Sequence, residues 1–189
     1  MLRLGDAKKF LTLPDHPFRT LPDGYAQYTQ ADAQAAGVCR EDVASVVNIS
    51  SMQGSRWPER LEQHRVLAET ADFQSGLAWL ADHSVSQDTC YQYFKEALIV
   101  WTFTQSQKIF LERGVRMNCV APGPVFTPLL KEFVTMLGEE HVKKESWRTK
   151  RPSYSDEIAS VVAFLLSDGA RGVTGVNLPV DGGLASTYV

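Results

Sequence analysis

Hydrophobic and polar positions follow two periods along most of the chain, beginning near residue 44. "SVVNIS" (45–50) is a short β-branched run suited to a buried strand, and "SMQGS" reads as the loop after it. "RWPERLEQHRVLAETADFQSGLAWLADHS" predicts two short helices. Pro58 opens the first, and the second carries Phe73, Leu77 and Leu80 at i, i+4 and i+7, with Trp57 and Trp79 as anchors to the core or to a partner subunit. A long helix follows from Thr89 or Cys90 to Arg113, where Gly114 has the place of a helix-terminating glycine.

"VRMNCVAPGP" (115–124) is a strand running into a Pro/Gly turn, and "TPLLKEFVTMLGEEHVKKES" is an amphipathic helical segment with its own glycine break. The next helix has Ser153 or Ser155 as its expected cap, Ile158, Val161, Val162 and Leu165 on one face, and Gly169 at its end. "GVNLPVDGG" closes as a last strand. The fold class implied is α/β, because strand, helix, strand, helix, strand is the alternation of a parallel sheet with crossover helices. Residues 1–43 show no sustained period and are broken by Pro14, Pro17 and Pro22, so they stand apart as an unassigned segment, with 44–189 as the folded unit.

Composition narrows the function. The 189 residues are 44% hydrophobic and 22% charged, values of one globular domain. A net charge of −3 offers no cation excess to displace counterions from phosphates, so neither nucleic acid nor an anionic membrane is an expected partner. Cys39, Cys90 and Cys119 form no C-x-x-C pair, which argues against a disulfide framework or a zinc site and fits a reducing cytoplasm. No stretch approaches the roughly 20 apolar residues of a membrane span. Lys143, Lys144, Arg148, Lys150 and Arg151 alternate with Glu139, Glu140 and Glu145, as on a solvated helix face.

Candidate chemistry centres on "CYQYFKEAL" (90–98). Tyr91 and Lys95 stand at i and i+4, hence on one helix face. A tyrosine of ordinary pKa, about 10, is a poor acid or base at neutral pH, and a nearby cation favours the phenolate. Y-x-x-x-K alone occurs by chance in many helices, so its context matters: "NISS" ends the preceding strand and "NCVAPGPVFTP" the following one. In an open parallel sheet both loops reach the rim where the helix begins. A Ser/His/Asp hydrolase is disfavoured, since no G-x-S-x-G elbow exists and His16, His64, His83 and His141 lack a motif context.

"VVNISSMQG", "YQYFK", "RMNCVAPGPVFTP" and "EIASVVAFLLSDGARGVTGVNLPVDGG", in this order, resemble the C-terminal part of the short-chain dehydrogenase/reductase family. The 40 positions between Ser51 and Tyr91, far more than is usual there, resemble its bacterial 3α-hydroxysteroid dehydrogenase/carbonyl reductase branch. Within that branch "RLEQHR", "GLAWL" and "CYQYFKEALIVWT" are most similar to the coniferyl-alcohol dehydrogenases.

The resemblance implies a Rossmann-like fold and an NAD- or NADP-dependent oxidoreductase acting on a small hydrophobic alcohol or carbonyl compound. Tyr91 would exchange the proton, and Lys95 would lower its pKa and hold the nicotinamide ribose. Ser51, ahead of Ser50, would hold the substrate oxygen. Pro122, Gly123, Pro124, Val125 and Thr127 match the loop at the nicotinamide end of the cofactor. Residues 129–150 match a segment covering the substrate, for which Phe126, Leu129, Leu130, Phe133 and Met136 supply apolar surface. It also implies a homo-oligomer, dimer or tetramer.

The family's glycine-rich strand, turn and helix, which would receive the pyrophosphate, have no counterpart in residues 1–43. Three explanations follow: a misplaced start or frameshift, which the sharp loss of pattern near residue 43 favours; a non-catalytic remnant; or a segment that pairs with a partner. The strand at 45–50 is accordingly expected to have an open edge unless residues 1–43 or another chain cover it.

Overall fold

The computed structural model describes residues 44–83, 85–86 and 89–188. The unassigned segment 1–43, with Cys39, His16 and its three prolines, lies outside the described residues. Three parallel strands form the sheet in the order β1 (Ser45–Ile49), β2 (Arg116–Pro122), β3 (Asn177–Val180), with Ile49 level with Val120 and Pro122 level with Val180. Between β1 and β2 lie α1 (Leu61–Ala68), α2 (Phe73–Asp82) and the long α3 (Cys90–Arg113). Between β2 and β3 lie α4 (Pro128–Leu137), α5 (Glu139–Arg148) and α6 (Ser155–Leu166).

Strand alternation places α3 and α6 on opposite faces. Ser45 Oγ donates to Leu165 O of α6, whereas Asn48 Nδ2, three positions on, donates to Thr102 Oγ1 of α3. The central strand is therefore covered on both sides, and Arg116 to Ala121 are all buried. On the α6 face Val120, Leu165 and Ala170 form a core joined by Val47, Val161, Val162, Val173 and Val180. The expected apolar face of α6 is thus the one used.

Local signals set most element ends. Gly114 stops α3 with φ +66°, a left-handed conformation that costs glycine least, and its N–H donates to Phe110 O. Gly138, as expected, separates α4 from α5. Buried Arg116 closes the far end of α6: Nη1 donates to Leu165 O and Val173 O, Nη2 to Ser167 O. Leu165 O and Ser167 O are carbonyls of the kind a helix end leaves unpaired, and Val173 O belongs to the turn that follows.

Three local expectations are corrected. Tyr154, rather than Ser153 or Ser155, is the N-cap of α6: Glu157 accepts from its backbone N–H at 2.7 Å while Ser153 is drawn into a bridge with Val125. The same helix ends at Leu166, before Gly169, because Ser167 Oγ turns back to Phe164 O and a short 3₁₀ turn follows. The Phe73/Leu77 stripe of α2 is not a core face, since the two side chains are 76% and 45% exposed. Trp57 and Trp79 do face neighbours: Trp57 meets Phe103 of α3 edge-on at 5.1 Å, and Trp79 stacks on His83 at 3.6 Å.

The outer edge of β1 is open among the described residues. Ala44 O and Ser50 N bond to β2, so the backbone groups of alternate residues Ser45, Val47 and Ile49 point outward. The side chains of Val46 and Ile49 are 40% and 47% exposed.

Candidate active site

Because β1 and β2 are parallel and in register, Ser50–Ser51 and Ala121–Pro122 leave the sheet at one rim. The helix that returns to the start of β2 must begin at that rim, which brings Tyr91 and Lys95, in the first two turns of α3, over the ends of both strands. The connection is held tightly. Ser50 N–H donates to Val120 O, and Ser50 Oγ donates to Lys95 O at 2.7 Å. Gly54 lies flat against α3: a Cβ there would stand 2.9 Å from both the Lys95 carbonyl carbon and Ile99 Cδ1.

These bonds divide the two serines. Ser50 is occupied by the frame, whereas Ser51 caps a short 3₁₀ turn by accepting from Gln53 N and stands near enough to Tyr91 for its hydroxyl to favour the phenolate. Burial pushes the Tyr91 phenol above its ordinary range, and the Ser51 hydroxyl draws it part of the way back. Lys95 is not the group that lowers it in this structure. Its Nζ donates to Ile49 O at 2.8 Å and lies 5.5 Å from the centre of the Tyr91 ring, while burial holds the ammonium below its usual pKa.

Two recesses flank this group. On one side Ser51, Met52, Gly123, Pro124, Leu130 and Phe133 line a small, mostly apolar recess, and Phe133 meets the Tyr91 ring edge-on at 5.1 Å. On the other, Cys90, Tyr91, Phe94, Lys95 and Leu98 line a wider depression. Of the apolar residues expected at a substrate, Leu130 and Phe133 face the first recess, Phe126 and Leu129 are half exposed, and the Met136 side chain lies outside the described residues.

The loop 122–127 leaves β2 and is tied at its far end. Phe126 N–H donates to Ser153 O and Ser153 N–H to Pro124 O, so Val125 and Ser153 form a bridge. Phe126 stacks on Tyr154 at 5.5 Å, Arg151 covers the other partner of that stack at 4.6 Å, and Arg151 also grips Glu157 through two bonds of 2.9 Å. Thr127 is the N-cap of α4, next to Pro128. Sequence reasoning placed Arg151 on a solvated face and did not find this anchor; its signal was the aromatic pair Phe126 and Tyr154 beside it.

A second polar group was also missed. Glu96, next to Lys95, is buried and bound by Arg60 and His64. His64, which lacks a motif context in the sequence, is fully buried in an ionic group. Among the described residues no set of three or more His, Cys, Asp or Glu side chains is placed to hold a metal ion, and no helix is long and apolar enough to cross a membrane.

A family model described as enoyl-(acyl carrier protein) reductase matches residues 77–185, from α2 to beyond β3. Coniferyl-alcohol dehydrogenase of Pseudomonas sp. (strain HR199 / DSM 7063) is 55% identical over 145 residues, which are 77% of this chain and 57% of that protein. Levodione reductase of Leifsonia aquatica is 38% identical over 81 residues, 40% of this chain and 30% of that one. Among solved structures, the 3-alpha-hydroxysteroid dehydrogenase from Pseudomonas sp. B-0831, complexed with NADH, superposes with a TM-score of 0.63 at 26% identity over 83% of this chain and 61% of its own. This chain therefore spans under two thirds of the length of each of these relatives. With a family match over more than half of its residues, a parallel sheet and the tyrosine and lysine helix at the sheet's rim, the chain belongs to the short-chain dehydrogenase/reductase family.

Proposed function

We propose that this chain carries the catalytic rim of an NAD- or NADP-dependent alcohol dehydrogenase that interconverts a hydrophobic alcohol and its aldehyde or ketone, coniferyl alcohol and coniferyl aldehyde in particular. The observation that carries this reading is the Ser51 hydroxyl placed to lower the Tyr91 phenol, at the edge of an apolar recess that Ser51 lines, with the Lys95 cation on the same helix face. The 55% identity to a coniferyl-alcohol dehydrogenase supports the substrate, and the mostly apolar lining of the recess suits a hydrophobic one.

The residues present fit the nicotinamide end of such a cofactor. Lys95 offers a donor to a ribose hydroxyl, and Pro122, Gly123, Pro124, Val125 and Thr127 form a loop beside Tyr91 whose far end is pinned to Ser153. When bound, the cofactor accepts or supplies the hydride. Tyr91 takes the proton of the substrate hydroxyl, or returns it to the carbonyl. Ser51 holds the same oxygen and keeps it aimed at the phenol. As Tyr91 loses its proton, the Ser51 hydroxyl, the group that lowers the phenol here, favours the phenolate. Leu130, Phe133 and Val142, on the helices that cover the recess, exclude water from the reacting oxygen.

The protein works as a homo-oligomer in this reading, in keeping with the apolar side chains that α3 leaves exposed, Phe94 and Leu111. Purified chain assayed with NAD⁺ or NADP⁺ is expected to form the reduced nicotinamide, read at its absorbance band, with coniferyl alcohol ahead of a 3α-hydroxysteroid. Absence of NADH and NADPH binding at millimolar cofactor overturns the enzyme reading for this chain. A second reading, a non-catalytic subunit that binds no cofactor, has one observation in its favour: Lys95 is spent on Ile49 O at the open edge of β1. Binding without turnover of either alcohol leaves the cofactor site standing and rejects both substrates.

A further inference from the structure

Glu96 follows Lys95 in α3, yet its carboxylate points away from the rim and is 1% exposed. Arg60 Nη1 donates to both of its oxygens at 2.7 Å, and His64 Nε2 lies 2.9 Å from Oε2. Arg60 and His64 are i and i+4, one at the N-terminus of α1 and the other in its first turn, so one face of α1 carries both. Tyr93 closes the group, its ring edge-on to His64 at 4.6 Å.

A buried ionic group is a poor way to add stability, because desolvation consumes most of the attraction, but it can specify register. Here the register has a consequence. Arg60 lies nine positions after Ser51, and the intervening chain already touches α3 twice, at Gly54 on the Lys95 backbone and at Trp57 on Phe103. The next acidic residue along α3 is Glu112. If α1 slipped along α3 by one turn, about 5.4 Å, Glu96 would be left buried without its partners.

We propose that Glu96 is a positioning residue: through Arg60 and His64 it registers the segment 52–64 along the catalytic helix and thereby sets Ser51 against Tyr91. This rests on the reading of Ser51 and Tyr91 as the reacting pair.

The test uses the full chain with Arg60→Met, Arg60→Lys and Glu96→Gln. A single nitrogen of Arg60 bridges the carboxylate, so a lysine ammonium can take its place. Tyr91 is followed by titration of ¹³Cζ-labelled tyrosine in NMR spectra, its resonance assigned with Tyr91→Phe. The expected result is that Tyr91 titrates at higher pH in Arg60→Met, with the Ser51 hydroxyl displaced from it, and returns to the wild-type position in Arg60→Lys. In turnover, kcat falls about 10- to 100-fold in Arg60→Met with the cofactor KM changed by less than about twofold, as for a displaced reacting group. A folded Arg60→Met whose Tyr91 titrates as in wild type overturns the proposal. If Arg60→Met does not fold, Glu96→Gln decides in the same way. The NMR titration needs no turnover, so an inactive wild type refutes the dehydrogenase reading and leaves the positioning of Tyr91 to be judged on its own.

Discussion

Lys95 donates from Nζ to the carbonyl oxygen of Ile49 across 2.8 Å, so one ammonium serves the catalytic helix and the edge of the sheet together. The bond joins residues 46 positions apart and occupies an outward-facing carbonyl of β1. A ribose hydroxyl at this place would share the ammonium, which has three protons to donate, without requiring that the backbone bond break. The two halves of the site are thereby linked through a single side chain.

Lys95→Met removes both roles. NADH affinity, followed by nicotinamide fluorescence, is expected to weaken about tenfold or more, in keeping with the loss of one hydrogen bond from a charged donor. Urea unfolding is expected to show about 1–2 kcal/mol lost as Ile49 O is left without its partner. An unchanged NADH affinity in a folded variant would place the ribose elsewhere.

Ser51→Ala takes away the one interaction that draws Tyr91 down against the effect of burial. The phenol is expected to titrate at higher pH than in wild type, and the pH profile of alcohol oxidation to move in the alkaline direction. At neutral pH kcat should drop about 10²- to 10³-fold, the scale of losing a polar group that holds a reacting oxygen. Ser50→Ala should instead lower thermal stability, because Ser50 Oγ is bound to Lys95 O. A pH-rate profile of Ser51→Ala that coincides with wild type would remove Ser51 from the reacting pair.

Arg116→Met should cost about 2–4 kcal/mol in denaturant unfolding, since a charged donor is lost from Leu165 O, Ser167 O and Val173 O together. Hydrogen exchange would locate the effect, with faster exchange expected at the C-terminal turn of α6 and in the turn at 168–173. A uniform change across the sheet would show that the bonds to α6 are not the source.

His64 gives stability a definite slope in acid. Burial holds its pKa below the usual value, against the opposing pull of the Glu96 hydrogen bond and charge, and Arg60 adds to the lowering. The groups facing it are Glu96, Arg60 and Tyr93. Between the folded value and the unfolded value of about 6.5 the unfolded chain binds the extra proton, so stability falls as pH falls through that window and is level above it. His64→Asn is expected to flatten the slope in melts recorded from neutral pH downward. An identical slope in the variant would assign it to carboxylates elsewhere.

Much of this architecture is written locally. Short β-branched runs, the 3.6-residue repeat of α3 and α6, and Gly114 or Gly138 at a helix end act over a few residues, so strands, helices and their order were legible from residue types alone. Where distant partners compete, local reading failed: Glu157 and the Val125 bridge moved the cap of α6 to Tyr154, and the Phe73 stripe of α2 met no core.

The candidate site divides along the same line. The sequence by itself determined that Ser51, Tyr91 and Lys95 share a rim, because parallel strands and a returning helix leave no other place for them. Which serine meets the phenol, that Lys95 is bound to Ile49 rather than lowering Tyr91, and that Glu96 is buried and held by Arg60 and His64 were decided only by tertiary structure. These outcomes depend on burial and on hydrogen-bond partners 32 to 46 positions apart, and no period along the chain encodes either. Desolvation, which raises the phenol and lowers His64, exists only once the chain has packed.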